Sequence, residues 1–176
     1  DEGQVIYRDG LRIGWLEQEP DFGEAKTIEE YIHNSENPLI RLINRYESLL
    51  KLGDTESDEF NNLMNEIDEQ NAWTVDVKIN EVLTNLKFTN KQLEIKNLSG
   101  GQGRRLALAK SLIDEPDILY MDEPTNHLDF DMVEWLEKFV AESNLTLLLI
   151  THDRYFLDNV CNEIIELTPN GVYQYK

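Results

Sequence analysis

Three groups of residues in this chain have the types and spacing for phosphate chemistry. They are Leu98-Ser99-Gly100-Gly101-Gln102, the acid pair Asp122-Glu123, and Thr151-His152-Asp153. Phosphoryl transfer to water needs a metal held against the phosphates, a polarised water, and donors around the developing charge. Asp122 closes the apolar run Ile118-Leu119-Tyr120-Met121, so its carboxylate sits at a strand end and is placed to hold Mg²⁺. Glu123, the next residue, is placed to accept a proton from the attacking water. Ser99-Gly100-Gly101 at a helix start makes an anion site, because glycines admit close approach and the first amides of a helix point outward. Ser99 adds a hydroxyl there and Gln102 a side-chain amide. His152, after the apolar run 145–150, can donate to a terminal phosphate oxygen. Each motif alone also has a plainer reading: a strand ending in acids, a capped helix after a glycine turn, a structural histidine.

Other candidates carry less. His33 and His127 lie on acidic or loop stretches and are assigned neither to catalysis nor to a metal. Asp54, Glu56, Asp58 and Glu59 cluster, but without the loop spacing and central glycine of an EF-hand. No nucleophile-elbow sequence surrounds Ser99, which excludes a hydrolase triad with His152. The sequence contains no G-x-x-x-x-G-K-[ST], the loop that holds a nucleotide's own phosphates.

The elements that must position these residues are legible from periodicity. Gln4-Val5-Ile6-Tyr7 and Leu11-Arg12-Ile13-Gly14-Trp15-Leu16 read as a hairpin about Arg8-Asp9-Gly10, ended by Pro20. Thr27 is expected to cap a short helix through Ile32. Asn37-Pro38 opens a helix carrying Leu39, Leu42, Ile43, Tyr46, Leu49 and Leu50, which Gly53-Asp54 breaks. Ser57 starts a second with Phe60, Leu63, Met64 and Ile67, and Val77, Val82, Leu83 and Leu86 suggest a third. Short loops make these antiparallel neighbours. Ser99 opens the next helix, with Leu106, Ala109 and Leu112, and Pro116 stops it. Residues 118–121 and 145–150 read as buried strands around a helix over 132–140, and 155–160 as a short helix. Pro169-Asn170-Gly171 turns a closing hairpin. Alternation of strand and helix with near-continuous apolar strands argues a parallel sheet in an α/β fold.

Composition narrows the class. Hydrophobic residues at 40% and charged residues at 29% fit a soluble globular protein, and no apolar run approaches the ~20 residues of a membrane span. The acidic, polar start predicts no signal peptide. The lone Cys161 allows no internal disulfide and suits a reducing cytosol. A net charge of −19 argues against a broad nucleic-acid interface, with Arg104, Arg105 and Lys110 the one small basic cluster.

In order and spacing, these motifs resemble the nucleotide-binding domain of ABC ATPases. The resemblance is strongest to the first such domain of the ABC-F class, soluble twin-domain proteins, and particularly to its Uup-like branch. Gln18 resembles the Q-loop, Leu98 to Gln102 the signature motif, and Ile118 to Glu123 the Walker B strand. Asn126 to Asp129 resemble the D-loop, and His152 the switch histidine. The Pro124-Thr125-Asn126-His127-Leu128-Asp129 wording is typical of ABC-F, and the insert of about 80 residues between Gln18 and Leu98 is similar to that class's arm.

The resemblance implies a partial P-loop NTPase domain of ABC type with an inserted α-helical subdomain: residues 1–20 a β segment ending in the Q-loop, 21–97 the helical arm, 98–176 the core. It implies ATP and Mg²⁺, with Gln18 and Asp122 toward the metal, Glu123 and His152 catalytic, and Gln18, Ser99, Gly100, Gly101, Gln102 and Asp129 toward nucleotide. The signature residues would serve the ATP of a second ABC domain, in the same chain or a dimer mate. Ribosome or RNA is the expected partner of a cytoplasmic parent protein, with no membrane; the alternatives are a transporter subunit and a DNA-linked ABC-F protein. A third reading is a non-enzymatic module that only binds another domain's nucleotide. Without its phosphate loop, the chain is expected to be a fragment that is inactive alone and self-associates through an uncovered sheet.

Overall fold

A computed structural model describes residues 4–17 and 19–175. Three parallel strands form the sheet that carries the site: β1 (Ile13–Leu16), β2 (Ile118–Asp122) and β3 (Thr146–Ile150), in spatial order β1-β2-β3. The registers Trp15↔Tyr120 and Tyr120↔Leu148 bring the carboxyl ends of the strands to one rim.

Between β1 and β2 the described residues form five α-helices and two short 3₁₀ turns. The α-helices are α1 (Ile28–His33), α2 (Pro38–Leu52), α3 (Asp58–Glu69), α4 (Val75–Asn85) and α5 (Gly100–Ile113). Each expected start is built by a local cap. Thr27 accepts from the Glu30 amide, Asn37 from Leu39 and Ser57 from Phe60, each satisfying a donor the helix cannot pair itself. Gly53 ends α2 at φ 74°, a left-handed conformation that favours glycine. α2 and α3 close on a small core of Ile43, Ile67 and Ala72, with Tyr46 stacked on Phe60. The main core is continuous from helices to sheet, joining Ile28, Leu83, Leu106, Leu112, Leu119, Leu136 and Phe156.

The carboxyl end of α5 is a polar junction. Arg12 donates through its guanidinium to the carbonyls of Asp114 and Glu115, cationic groups on carbonyls left over at a helix end. The buried Asn37 caps α2 with Oδ1 while Nδ2 donates to the Ile113 carbonyl and to Glu115 Oε2, each at 3.0 Å. Ser35 bonds the Asp114 carboxylate and Lys78 the Glu115 carboxylate. Gly14 packs beside this turn: a Cβ there would lie 2.8 Å from Pro116 Cγ.

After β2, α6 (Phe130–Glu142) crosses to β3, and α7 (Arg154–Val160) leads to the hairpin β4 (Ile164–Thr168) and β5 (Gly171–Tyr175). α6 buries Met132, Leu136 and Val140.

Two sequence expectations are corrected. The first hairpin does not form: residues 4–8 are not strand, and Val5 and Ile6 lie exposed, because β1 pairs with the distant β2 instead. The run 145–150 is not a buried strand. β3 alternates, with Leu148 52% and Ile150 64% exposed, beside Trp15 at 60%. Tyr7 reaches that sheet face through its hydroxyl, 3.0 Å from that of Tyr120, and Trp15 stacks on Tyr120 at 4.1 Å, but Leu148 and Ile150 stay exposed. Cys161 is half-buried, and burial pushes its thiol up, as fits a packing residue.

Candidate active site

The acid pair lies where β2 runs out. Asp122 is the last strand residue, in register with Ile150 of β3. Glu123 turns into the left-handed region at φ 48°, yet its amide still donates to the Ile150 carbonyl at 2.7 Å. A non-glycine residue in that conformation costs about 1–2 kcal/mol, offset here by bonds on both ends of the residue. Glu123 Oε1 lies 2.8 Å from His152 Nδ1, and Oε2 accepts from Thr151 Oγ1 at 3.1 Å. Asp153, two residues beyond Thr151, accepts from the Phe156 amide to cap α7, which fixes the turn that presents His152. Glu123 and His152 therefore meet at one rim of the sheet with Asp122 adjoining.

The signature residues sit at the tip of α5. Ser99 Oγ accepts from the Gln102 amide at 3.3 Å and Gln102 Oε1 accepts from the Ser99 amide at 2.8 Å, a reciprocal capping box. Both side chains thus stabilise the helix start, and the amides of Gly100 and Gly101, which helix geometry leaves without an intrahelical acceptor, are the donors aimed outward. A Cβ on Gly100 would meet nothing within 4 Å, so a ligand can approach the backbone there. Asp129 caps α6 by accepting from the Met132 amide at 3.0 Å. Gln18 lies outside the described residues.

A narrow cleft lies between the acid pair and the second turn of α5, lined by Glu17, Arg104, Arg105, Asp122, Glu123 and Asn126 among others. Arg105 packs its guanidinium 5.8 Å over the Phe88 ring, and its buried Nε has no hydrogen-bond partner. Among the described residues no three His, Cys, Asp or Glu side chains gather as a metal cage. That donor set suits Mg²⁺, which is ordinarily held by one or two carboxylates together with substrate phosphates and water.

Two contacts go beyond what the motifs signalled. Thr151 grips the second oxygen of Glu123, which its position two residues after Leu149 on an apolar run did not signal. His127, in the run that resembles the D-loop, faces Gly101 closely enough that a Cβ there would touch it, and its Nε2 lies 3.5 Å from Arg104 Nη1.

A family model described as ABC transporter matches residues 3–126. The energy-dependent translational throttle protein EttA of Mycobacterium tuberculosis (strain H37Rv) is 36% identical over 179 residues, covering 99% of this chain and 32% of that protein. EttA of Escherichia coli (strain K12) is 35% identical, over 94% of this chain and 31% of its own length. The uncharacterised ABC transporter ATP-binding protein YfmR of Bacillus subtilis is 35% identical, over 100% and 29%. The chain spans about a third of the length of these relatives. Two solved structures share the fold. One is a dimeric post-hydrolysis ATP-binding cassette bound to ADP and Pi, with TM-score 0.59 and 22% identity over 94% of this chain and 63% of that one. The other is an RNase-L inhibitor, with TM-score 0.57 and 19% identity over 96% and 27%. The expected α/β fold is therefore the observed one.

Proposed function

We propose, for a chain that belongs to the ABC transporter family of ATP-binding domains, that it is part of an ABC-F type ATPase which binds and hydrolyses ATP in the cytoplasm and acts on the ribosome in translation. The observation that carries the hydrolytic part is the contact of Glu123 with His152 and Thr151 at the rim where Asp122 ends β2.

Glu123 takes the proton from the attacking water. His152 orients that carboxylate and is placed to sense the terminal phosphate. Asp122, with Gln18, would hold Mg²⁺, which when bound supplies charge neutralisation on the phosphate oxygens. Gly100 and Gly101 present their amides, and Ser99 its hydroxyl, to the nucleotide of a second ABC domain, with Asp129 in the loop that meets that domain. The 176-residue chain alone, having no G-x-x-x-x-G-K-[ST] loop, turns over no ATP.

The ribosome is favoured as partner by the EttA relatives, whose name places them in translation. DNA finds no support in them. Among the described residues no helix is long and apolar enough to cross a membrane.

The test is ribosome co-sedimentation of a full-length protein containing this chain with Glu123→Gln. Retention with ribosomes in ATP but not in ADP is expected. Equal sedimentation in both nucleotides, or unchanged ATP turnover, would remove the reading.

A further inference from the structure

We propose, on the ATPase reading, that His127 is a positioning residue: its ring is a strut that sets the tip of α5 against the loop leaving Glu123. The two glycines of the signature differ in what surrounds them. Gly100 faces open space, whereas a Cβ on Gly101 would sit 3.5 Å from both Cβ and Cγ of His127 and 3.6 Å from Nδ1. The imidazole therefore lies beside the helix tip, close enough that a side chain at 101 would touch it. At its far end Nε2 is 3.5 Å from Nη1 of Arg104, a residue further along α5. A guanidinium has donors only, so in this contact Nε2 is the acceptor.

The loop that carries the ring is short and tied at both ends. The Asn126 amide donates to the Glu123 carbonyl at 3.2 Å, and Leu128 to Thr125 at 3.1 Å. His127 itself is left-handed at φ 69°. Beyond it Asp129 caps α6. Two overlapping turns and one ring thus separate the base that serves this chain's own nucleotide from the donors offered to a neighbour's. A displacement at either tip reaches the other through His127. Gly101 thus faces the ring within the chain, and Gly100 faces open space.

The test uses a full-length protein containing this chain, with steady-state ATP turnover and hydrogen exchange of the amides 100–104. Asparagine tolerates a positive φ but is too short to span Gly101 and Arg104. His127→Asn is expected to lower kcat about ten-fold with KM within about two-fold, and to speed exchange at 100–104 about ten-fold. His127→Gln, long enough for its carbonyl to accept from Arg104, should recover most of both. A His127→Asn protein with the kcat and exchange of the parent overturns the strut. So does His127→Gln no better than His127→Asn. If the parent protein turns over no ATP, the ATPase reading fails separately, and exchange at 100–104 still decides whether the ring braces the helix.

Discussion

His152 Nδ1 stands 2.8 Å from Glu123 Oε1 while Thr151 Oγ1 donates to Oε2 at 3.1 Å, so two neighbouring residues of one strand end hold both oxygens of a single carboxylate. A carboxylate fixed at both oxygens cannot swing away from a water placed against it. Glu123→Gln keeps the shape and removes the base. Single-turnover hydrolysis in a full-length protein should fall about 10²–10³-fold, with ATP binding retained. Loss of binding in proportion would make Glu123 a structural residue instead.

Asn37 joins α2 to the end of α5 while only 4% exposed. Asn37→Ala removes a helix cap, worth about 1 kcal/mol, and leaves the Ile113 carbonyl without that donor at a further ~1–3 kcal/mol. Urea unfolding should show a loss of about 2–4 kcal/mol. A change under half a unit would mean water replaces the amide.

Tyr31 is pushed up to about 12, first by burial and then by Asp114, Asp21 and Glu17 nearby. Its folded value lies above the unfolded one of about 10, so the neutral phenol stabilises the fold fully below pH 10. That stability is lost as pH rises from 10 through 12. Discounting for partial solvent contact, the loss across this window is about 1–2 kcal/mol. Tyr31→Phe should flatten stability against pH between 10 and 12; an identical slope would assign the effect elsewhere.

The exposed face of Trp15, Leu148 and Ile150 gives this 176-residue chain a surface on which copies can associate. Sedimentation velocity should show concentration-dependent association, reduced by Leu148→Thr with Ile150→Thr. A monomer at every concentration would contradict it.

What could be read from sequence was what neighbours along the chain decide. Thr27, Asn37, Ser57 and Ser99 are caps because a side-chain oxygen meets an amide two or three residues on, and Gly53 ends a helix by its own backbone freedom. Asp122, Glu123 and His152 were legible because two parallel strands in register carry residues just past their ends to one rim. The failures were all long-range. Val5 and Ile6 looked like strand, but β1 found its partner more than a hundred residues away. β3 reads as buried from composition, yet burial depends on what lies over a face, which no local pattern records. His127 reaches back to Gly101 across the whole of α5 and β2, so its contact has no periodicity to betray it.

The bond from the Glu123 amide to the Ile150 carbonyl prolongs the β2–β3 ladder one residue past the strand, even as φ reverses. The residue that carries the carboxylate is therefore held by the sheet's own ladder. The turns 124–128 start from that anchored residue, so a slip of β2 against β3 would carry the base and the loop behind it together.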